Sequence, residues 1–166
     1  MNIKNAALYG QIATLGVVLA VGCSPKKNIG LSEDNHRNRF FSELNTNSII
    51  NYKWYYSESR GRFVTFARVT LSSDMGVSTA TSGYSNIIVT TNPSEKSVVA
   101  DLLLDRAASL LGGTNNIPVW LKADTNTFLS YMEQKTSAYE YDLWLDTNKN
   151  VIYFIGTGVT NALPPS

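Results

Sequence analysis

The chain has one cysteine and one histidine among its 166 residues. A single cysteine, Cys23, leaves the folded domain without a disulfide of its own. In an exported protein that odd thiol needs an explanation. With one histidine and one cysteine there is no usual zinc-ligand set, and no other metal or cofactor motif stands out. His36 lies in the charged segment Glu33-Asp34-Asn35-His36-Arg37 and reads as a solvated surface residue. A nucleophilic site would need a placed imidazole and a third group to orient it. Charge is sparse and balanced, with 14 basic and 13 acidic residues, so no strongly charged face is implied and nucleic acid is not an expected partner. The longest apolar stretch, Ile12 to Val21, falls short of the roughly 20 residues that a spanning helix wants.

That stretch does have the parts of an export signal. Lys4 is the only charged residue before Lys26, a short apolar core follows it, and small residues precede a break. The break reads Leu19-Ala20-Val21-Gly22-Cys23-Ser24. It resembles the lipobox of bacterial lipoproteins, although the family places its leucine three positions before the cysteine and Leu19 stands one further back. The resemblance covers the amino terminus alone. It implies cleavage of residues 1–22, a diacylglycerol on the Cys23 thiol and an acyl chain on its amine. Each buried methylene contributes about 0.8 kcal/mol and stable anchoring takes about two chains, so a triacylated cysteine is a strong tether. In Gram-negative members of that family a residue other than Asp after the cysteine, here Ser24, implies the outer membrane, facing the periplasm.

Beyond the signal, residues 23–31 form a lipidated, mobile tether rich in Ser, Pro, Lys and Gly. Residues 32–160 suffice for one domain, and 161–166 are a tail. Ser32 can cap a helix over 33–45 that opens on Glu33 and Asp34, with Phe40, Phe41 and Leu44 on one face. Tyr52 to Tyr56 and Arg62 to Leu71 make a hairpin around Glu58 to Gly61. Its second strand is apolar on both faces for part of its length, as a central strand is. Ser72 to Gly83 is small and polar, an exposed loop or a ragged edge strand, and Tyr84 to Thr91 is a strand. Asn92-Pro93-Ser94-Glu95 is a capping box. The helix it opens carries Val98, Val99, Leu102, Leu103, Ala107, Leu110 and Leu111 as its stripe and ends at Gly112-Gly113. A short strand over 117–121 and a helix capped by Asp124 or Thr125, with Phe128, Leu129 and Met132 inward, come next. A closing hairpin runs through Tyr139 to Leu145, turns at 146–150 and returns over 151–155. The order predicts an α+β domain: an antiparallel or mixed sheet with helices packed on one face.

Chemical motifs are scarce. Ser24-Pro25-Lys26-Lys27 has an S-x-x-K spacing but lies in the tether. Gly76-Val77-Ser78 and Gly83-Tyr84-Ser85 lack the strand–elbow–helix context of a nucleophile. Gly112-Gly113-Thr114 is at the carbonyl end of its helix, the wrong end for phosphate. Asp146 to Asn150 opens like a calcium loop, yet the sixth and twelfth places hold Val151 and Thr157 where an EF-hand needs Gly and an acid, so a hairpin turn is the reading. Glu140 and Asp142 share a strand face with Trp144. A desolvated member of that pair could protonate a glycosidic oxygen, but a solvated outer face is the simpler account. Among the aromatics, Trp54, Tyr56, Trp120 and Trp144 are candidate binding residues, since aromatic rings anchor interfaces and stack on sugars, although core or sheet surface is the simpler account of most of them.

These features predict a lipid-anchored, non-enzymatic envelope protein that binds a protein partner. A glycan or peptidoglycan binder using the aromatics is the alternative, and a carboxylate hydrolase comes third. If Cys23 is the acylated residue, labelled palmitate enters the wild-type protein and not Cys23→Ser. Equal labelling of both, or a mature mass that begins elsewhere, contradicts the assignment.

Overall fold

The computed structural model describes residues 31–72, 85–89, 96–122, 129–146 and 148–163. The signal, Cys23, the capping box at 92–95 and the helix cap at Asp124 or Thr125 lie outside the described residues. Helix α1 is Glu33–Phe40, with Ser32 accepting the Asn35 N–H as its N-cap and acidic residues in its first turn. Strands β1 (Ile49–Ser59) and β2 (Arg62–Leu71) form the first hairpin. Arg60 and Gly61 both have positive φ, 52° and 71°, as a tight two-residue hairpin turn requires. Strand β3 (Ser85–Val89), helix α2 (Lys96–Leu111), and strands β4 (Leu129–Lys135), β5 (Tyr139–Asp146) and β6 (Val151–Val159) complete the order. All six strands join one antiparallel sheet in the order β1-β2-β6-β5-β4-β3. Among the described residues no helix is long and apolar enough to cross a membrane.

The domain is α+β, as expected, but its helices do not share a face. Alternation along β2, β5 and β6 creates two apolar surfaces, and each collects one helix. Phe41 and Leu44, just after α1, pack with Ala67, Val69, Leu71, Leu143, Leu145, Ile152 and Phe154. Val99, Ala100, Leu103 and Ala107 of α2 pack on the opposite side with Phe66, Trp144, Val151, Tyr153 and Ile155. The central strands β5 and β6 are therefore covered on both sides, which an antiparallel sheet with one wet face would not be.

Local differences from expectation have identifiable causes. Helix α1 ends at Phe40 instead of continuing to 45, and Phe41 and Leu44 reach the core from the turn that follows. Asn45 caps the next 3-10 turn by accepting the Asn47 N–H, a local bond that competes with helix. The expected strand at 117–121 is instead a pair of 3-10 turns, Thr114–Asn116 and Val119–Leu121, around Pro118. Ile117 and Leu121 are still buried, so the apolar spacing was real and its backbone different. The expected helix carrying Leu129 and Met132 is strand β4. Pairing with β5 on one side and β3 on the other decides its conformation, an instance of tertiary context overriding local pattern. In α2, Leu102 is exposed and Ala100 takes its place inside. The helix stops as expected: Gly112 and Gly113 have φ of 75° and 143°, and the Gly113 N–H bonds the Ala108 carbonyl.

Two glycines of β6 are fixed by close packing. A Cβ on Gly156 would come within 2.8 Å of Thr65 Cγ2, and one on Gly158 within 2.7 Å of the Ala138 carbonyl oxygen and 2.8 Å of Phe63.

The burial of Leu103 beneath α2 yields a direct test. Leu103→Ala lowers the unfolding free energy by about 2–5 kcal/mol through the cavity it leaves. Asp105→Ala, on the exposed side of the same helix, changes it far less. Equal effects in urea titrations would place the wrong face of α2 against the sheet.

Candidate functional site

Polar groups gather on both faces of the sheet. On the α1 side the centre is His36. It is 0% exposed, not solvated as its sequence neighbourhood suggests. Its Nδ1 lies 2.6 Å from the Tyr52 hydroxyl and its Nε2 lies 2.5 Å from Thr65 Oγ1. Thr65 donates its own proton to the Tyr55 carbonyl at 2.9 Å, so its oxygen accepts from His36. The ring is then the Nε2–H tautomer, and Nδ1 accepts from Tyr52. The imidazole also packs among the rings of Phe40, Tyr52, Trp54 and Tyr56, with Trp54 nearest at 4.7 Å between centroids. Burial first, and the Arg39 charge second, push its pKa from 6.5 down to about 3, so the ring is neutral at ordinary pH. Burial likewise raises the Tyr52 hydroxyl well above its usual range, which keeps it a donor. This chain of bonds pins α1 to β1 and β2.

On the α2 side the centre is the pair Glu140 and Asp142. The outer-face expectation fails here: Asp142 and Trp144 are 3% and 1% exposed, because α2 covers them. Asp142 Oδ1 accepts the Tyr131 hydroxyl at 2.8 Å and Oδ2 accepts Arg106 Nε at 3.0 Å. The same guanidinium reaches Glu140 Oε2 at 3.0 Å, and Lys135 lies 3.6 Å from Glu140 Oε1. Burial raises the Asp142 pKa, while Tyr131 and Arg106 oppose the rise and Glu140 adds to it. Both oxygens of Asp142 are thus occupied by the protein. A general acid needs a free proton position facing substrate. What this geometry does is tie α2, through Arg106, to β4 and β5.

The four aromatic candidates do not form one surface. Trp54 and Tyr56 face α1, and Trp144 and Trp120 pack on the α2 side. Trp144 is buried, which corrects its expected place on an outer face; Tyr56 is buried too, as the core reading of the aromatics allows, while Trp54 and Trp120 are half-buried. Cys23 lies outside the described residues. Tyr52, Thr65, Arg106 and Tyr131 were not nominated by sequence. Thr65 carried a signal, being the lone hydroxyl in the inward row Phe63, Thr65, Ala67, Val69, Leu71. Arg106 carried a weaker one, flanking the apolar stripe of its helix. Among the described residues no three His, Cys, Asp or Glu side chains gather to hold a metal ion.

Protonation of His36 supplies a pH test. Its folded pKa of about 3 lies below the ordinary 6.5, so the stability it confers is complete above pH about 6.5 and declines as pH falls toward 3. Wild type therefore loses stability relative to His36→Gln between pH 6.5 and 4, with a slope approaching roughly 1 kcal/mol per pH unit. Asp142, with its raised pKa, acts in the opposite sense in both proteins and cancels in the difference. Parallel pH curves for the two proteins would contradict a buried, neutral His36.

No family model, no curated protein and no solved structure matches this chain.

Proposed function

We propose that the protein is a lipid-anchored, non-enzymatic protein of the cell envelope that binds a protein partner, as an assembly accessory, an immunity or exclusion factor, or a scaffold does. Its place is the outer membrane, facing the periplasm. The observation that carries the anchoring is the sole cysteine, Cys23, standing directly after Val21 and Gly22 at the end of an apolar signal. The binding half draws support from the folded domain. Its titratable clusters are committed to holding helices on the sheet, through His36 on one face and Arg106, Glu140 and Asp142 on the other. Meanwhile Ile50 and Val119 are 67% and 83% exposed. Ile50 sits on β1, the outermost strand on its side of the sheet, and an eleven-residue edge strand presents backbone donors and acceptors to an incoming chain. A glycan-binding groove would need exposed rings side by side, whereas Trp144 and Tyr56 are buried. A hydrolase would need one carboxyl of the Glu140 and Asp142 pair free.

A photo-crosslinking amino acid placed at Ile50, Asn51 or Val119 in living cells tests the reading. The expected result is a discrete adduct whose protein component is identified by mass spectrometry, with Glu140→Gln leaving the cellular phenotype intact. Absence of any adduct from all three positions, together with loss of phenotype in folded Glu140→Gln, would put hydrolysis ahead of binding.

A further inference from the structure

One edge of the sheet gathers cations on one side. Facing α2, strand β1 presents Lys53, Tyr55, Ser57 and Ser59, and strand β2 presents Arg62, Val64, Phe66 and Arg68. The packing of Tyr55, Val64 and Phe66 into the α2 cluster fixes that side. No acidic residue stands among these eight. Lys53 lies directly opposite Arg68 in the register, and like charges so placed are unfavourable. The Arg68 guanidinium sits over the Tyr153 ring, 5.8 Å from its centroid. Among the described residues no ion pair reaches Lys53, Arg62 or Arg68. Lys53 and Arg62 are exposed. The acids of the sheet stand elsewhere: Glu58 is on the opposite side beside Tyr56, and the others are on β4 and β5.

The backbone of β1 faces outward at alternate residues. Ser59 and Arg62 close the two-residue turn as a hydrogen-bonded pair, so the bonds to β2 fall next on Ser57, Tyr55 and Lys53. The N–H and C=O groups of Glu58, Tyr56, Trp54 and Tyr52 therefore point away from β2. Among the described residues no backbone bond meets them from outside the hairpin. We propose that the partner enters as an acidic extended segment that adds to β1 as a further strand. Its carboxylates turn toward Lys53, Arg62 and Arg68. Its alternate side chains are apolar and lie beside Tyr52 and Trp54, which are half-buried on the α1 side. The two-residue alternation of a strand sets this pattern. A lysine in the middle of an edge strand guards it against indiscriminate pairing. An acid opposite Lys53 lifts that guard, so one residue disfavours basic strands and admits an acidic one. The inference rests on the partner-binding reading and specifies the chemistry of the partner.

Fluorescence anisotropy tests the pairing directly. The full-length protein in a neutral detergent is titrated into labelled short peptides that alternate Glu, Gln or Lys with Val. The expected result is saturable binding of the Glu peptide, binding of the Gln peptide about fivefold weaker or more, and no binding of the Lys peptide. Lys53→Glu weakens binding of the Glu peptide about fivefold or more and improves that of the Lys peptide, a reversal that a misfolded variant does not produce. A Glu peptide N-methylated throughout keeps its charges, loses its backbone donors and does not bind. Absence of saturable binding to folded wild type, or equal binding of the three peptides, overturns the proposal. The partner-binding reading itself fails on a different observation, the absence of adducts in cells. Equal affinity for the N-methylated peptide overturns strand addition. A photo-crosslinker at Asn51 that joins two copies of the purified protein gives the edge to a second copy and overturns the proposal too. If circular dichroism shows Lys53→Glu unfolded, Lys53→Gln decides, since it must also weaken binding of the Glu peptide.

Discussion

Burial of β6 on both sides is the constraint from which the architecture follows. Val151 through Gly156 are all buried, and the strand is third in a sheet of six. A strand in that position has two apolar rows, and each row must be shielded from water. On one side the long helix α2 does this with Val99, Leu103 and Ala107 at four-residue steps. On the other side α1 is only eight residues long and buries one residue of its own, His36. Aromatic rings make up the difference. Phe40 packs against Phe63, Tyr141 and Phe154, and Phe41 against Tyr52 and Phe154. These rings thus cover the part of the broad sheet face that a short helix leaves open.

The polar clusters follow from the same geometry. A short helix rich in charge has little apolar surface to hold it, so α1 is held by directional bonds through His36 to Tyr52 and Thr65. Helix α2 has ample apolar surface, yet Arg106 at its margin still ties it to Glu140 and Asp142. Truncating one partner of a buried hydrogen-bonded pair leaves the other unsatisfied, so these residues matter to the fold whatever partner the protein meets.

Much of this was legible in sequence where the signal was local. Ser32 as a cap, a hairpin turn within Glu58 to Gly61, the stop at Gly112-Gly113 and the closing hairpin all depend on residues within a few positions of one another. What was not legible depended on distant partners. Leu129 and Met132 have helical spacing and form a strand because β3 and β5 flank it. Asp142 and Trp144 alternate with apolar residues as an outer face does, and only the position of α2 turns that face inward. His36 sits among charges, and its environment comes from β1 and β2. Expectation put the helices together on one face because the apolar rows of β5 and β6 cannot be assigned to opposite covers without the strand order.

The close packing of Gly156 and Gly158 has a consequence for how the sheet selects its alignment. Sliding β6 by one residue against β2 would turn its apolar residues to the wrong faces, and burial alone forbids it. Sliding by two residues would keep every side chain on its own face, so hydrophobicity offers little resistance. In one direction that slip brings Phe154 to the place of Gly156 beside Thr65. In the other it brings Thr160 to the place of Gly158 beside Phe63. Neither place has room even for a Cβ. The missing side chains therefore act as a key, excluding the misaligned sheets that the apolar pattern by itself would accept.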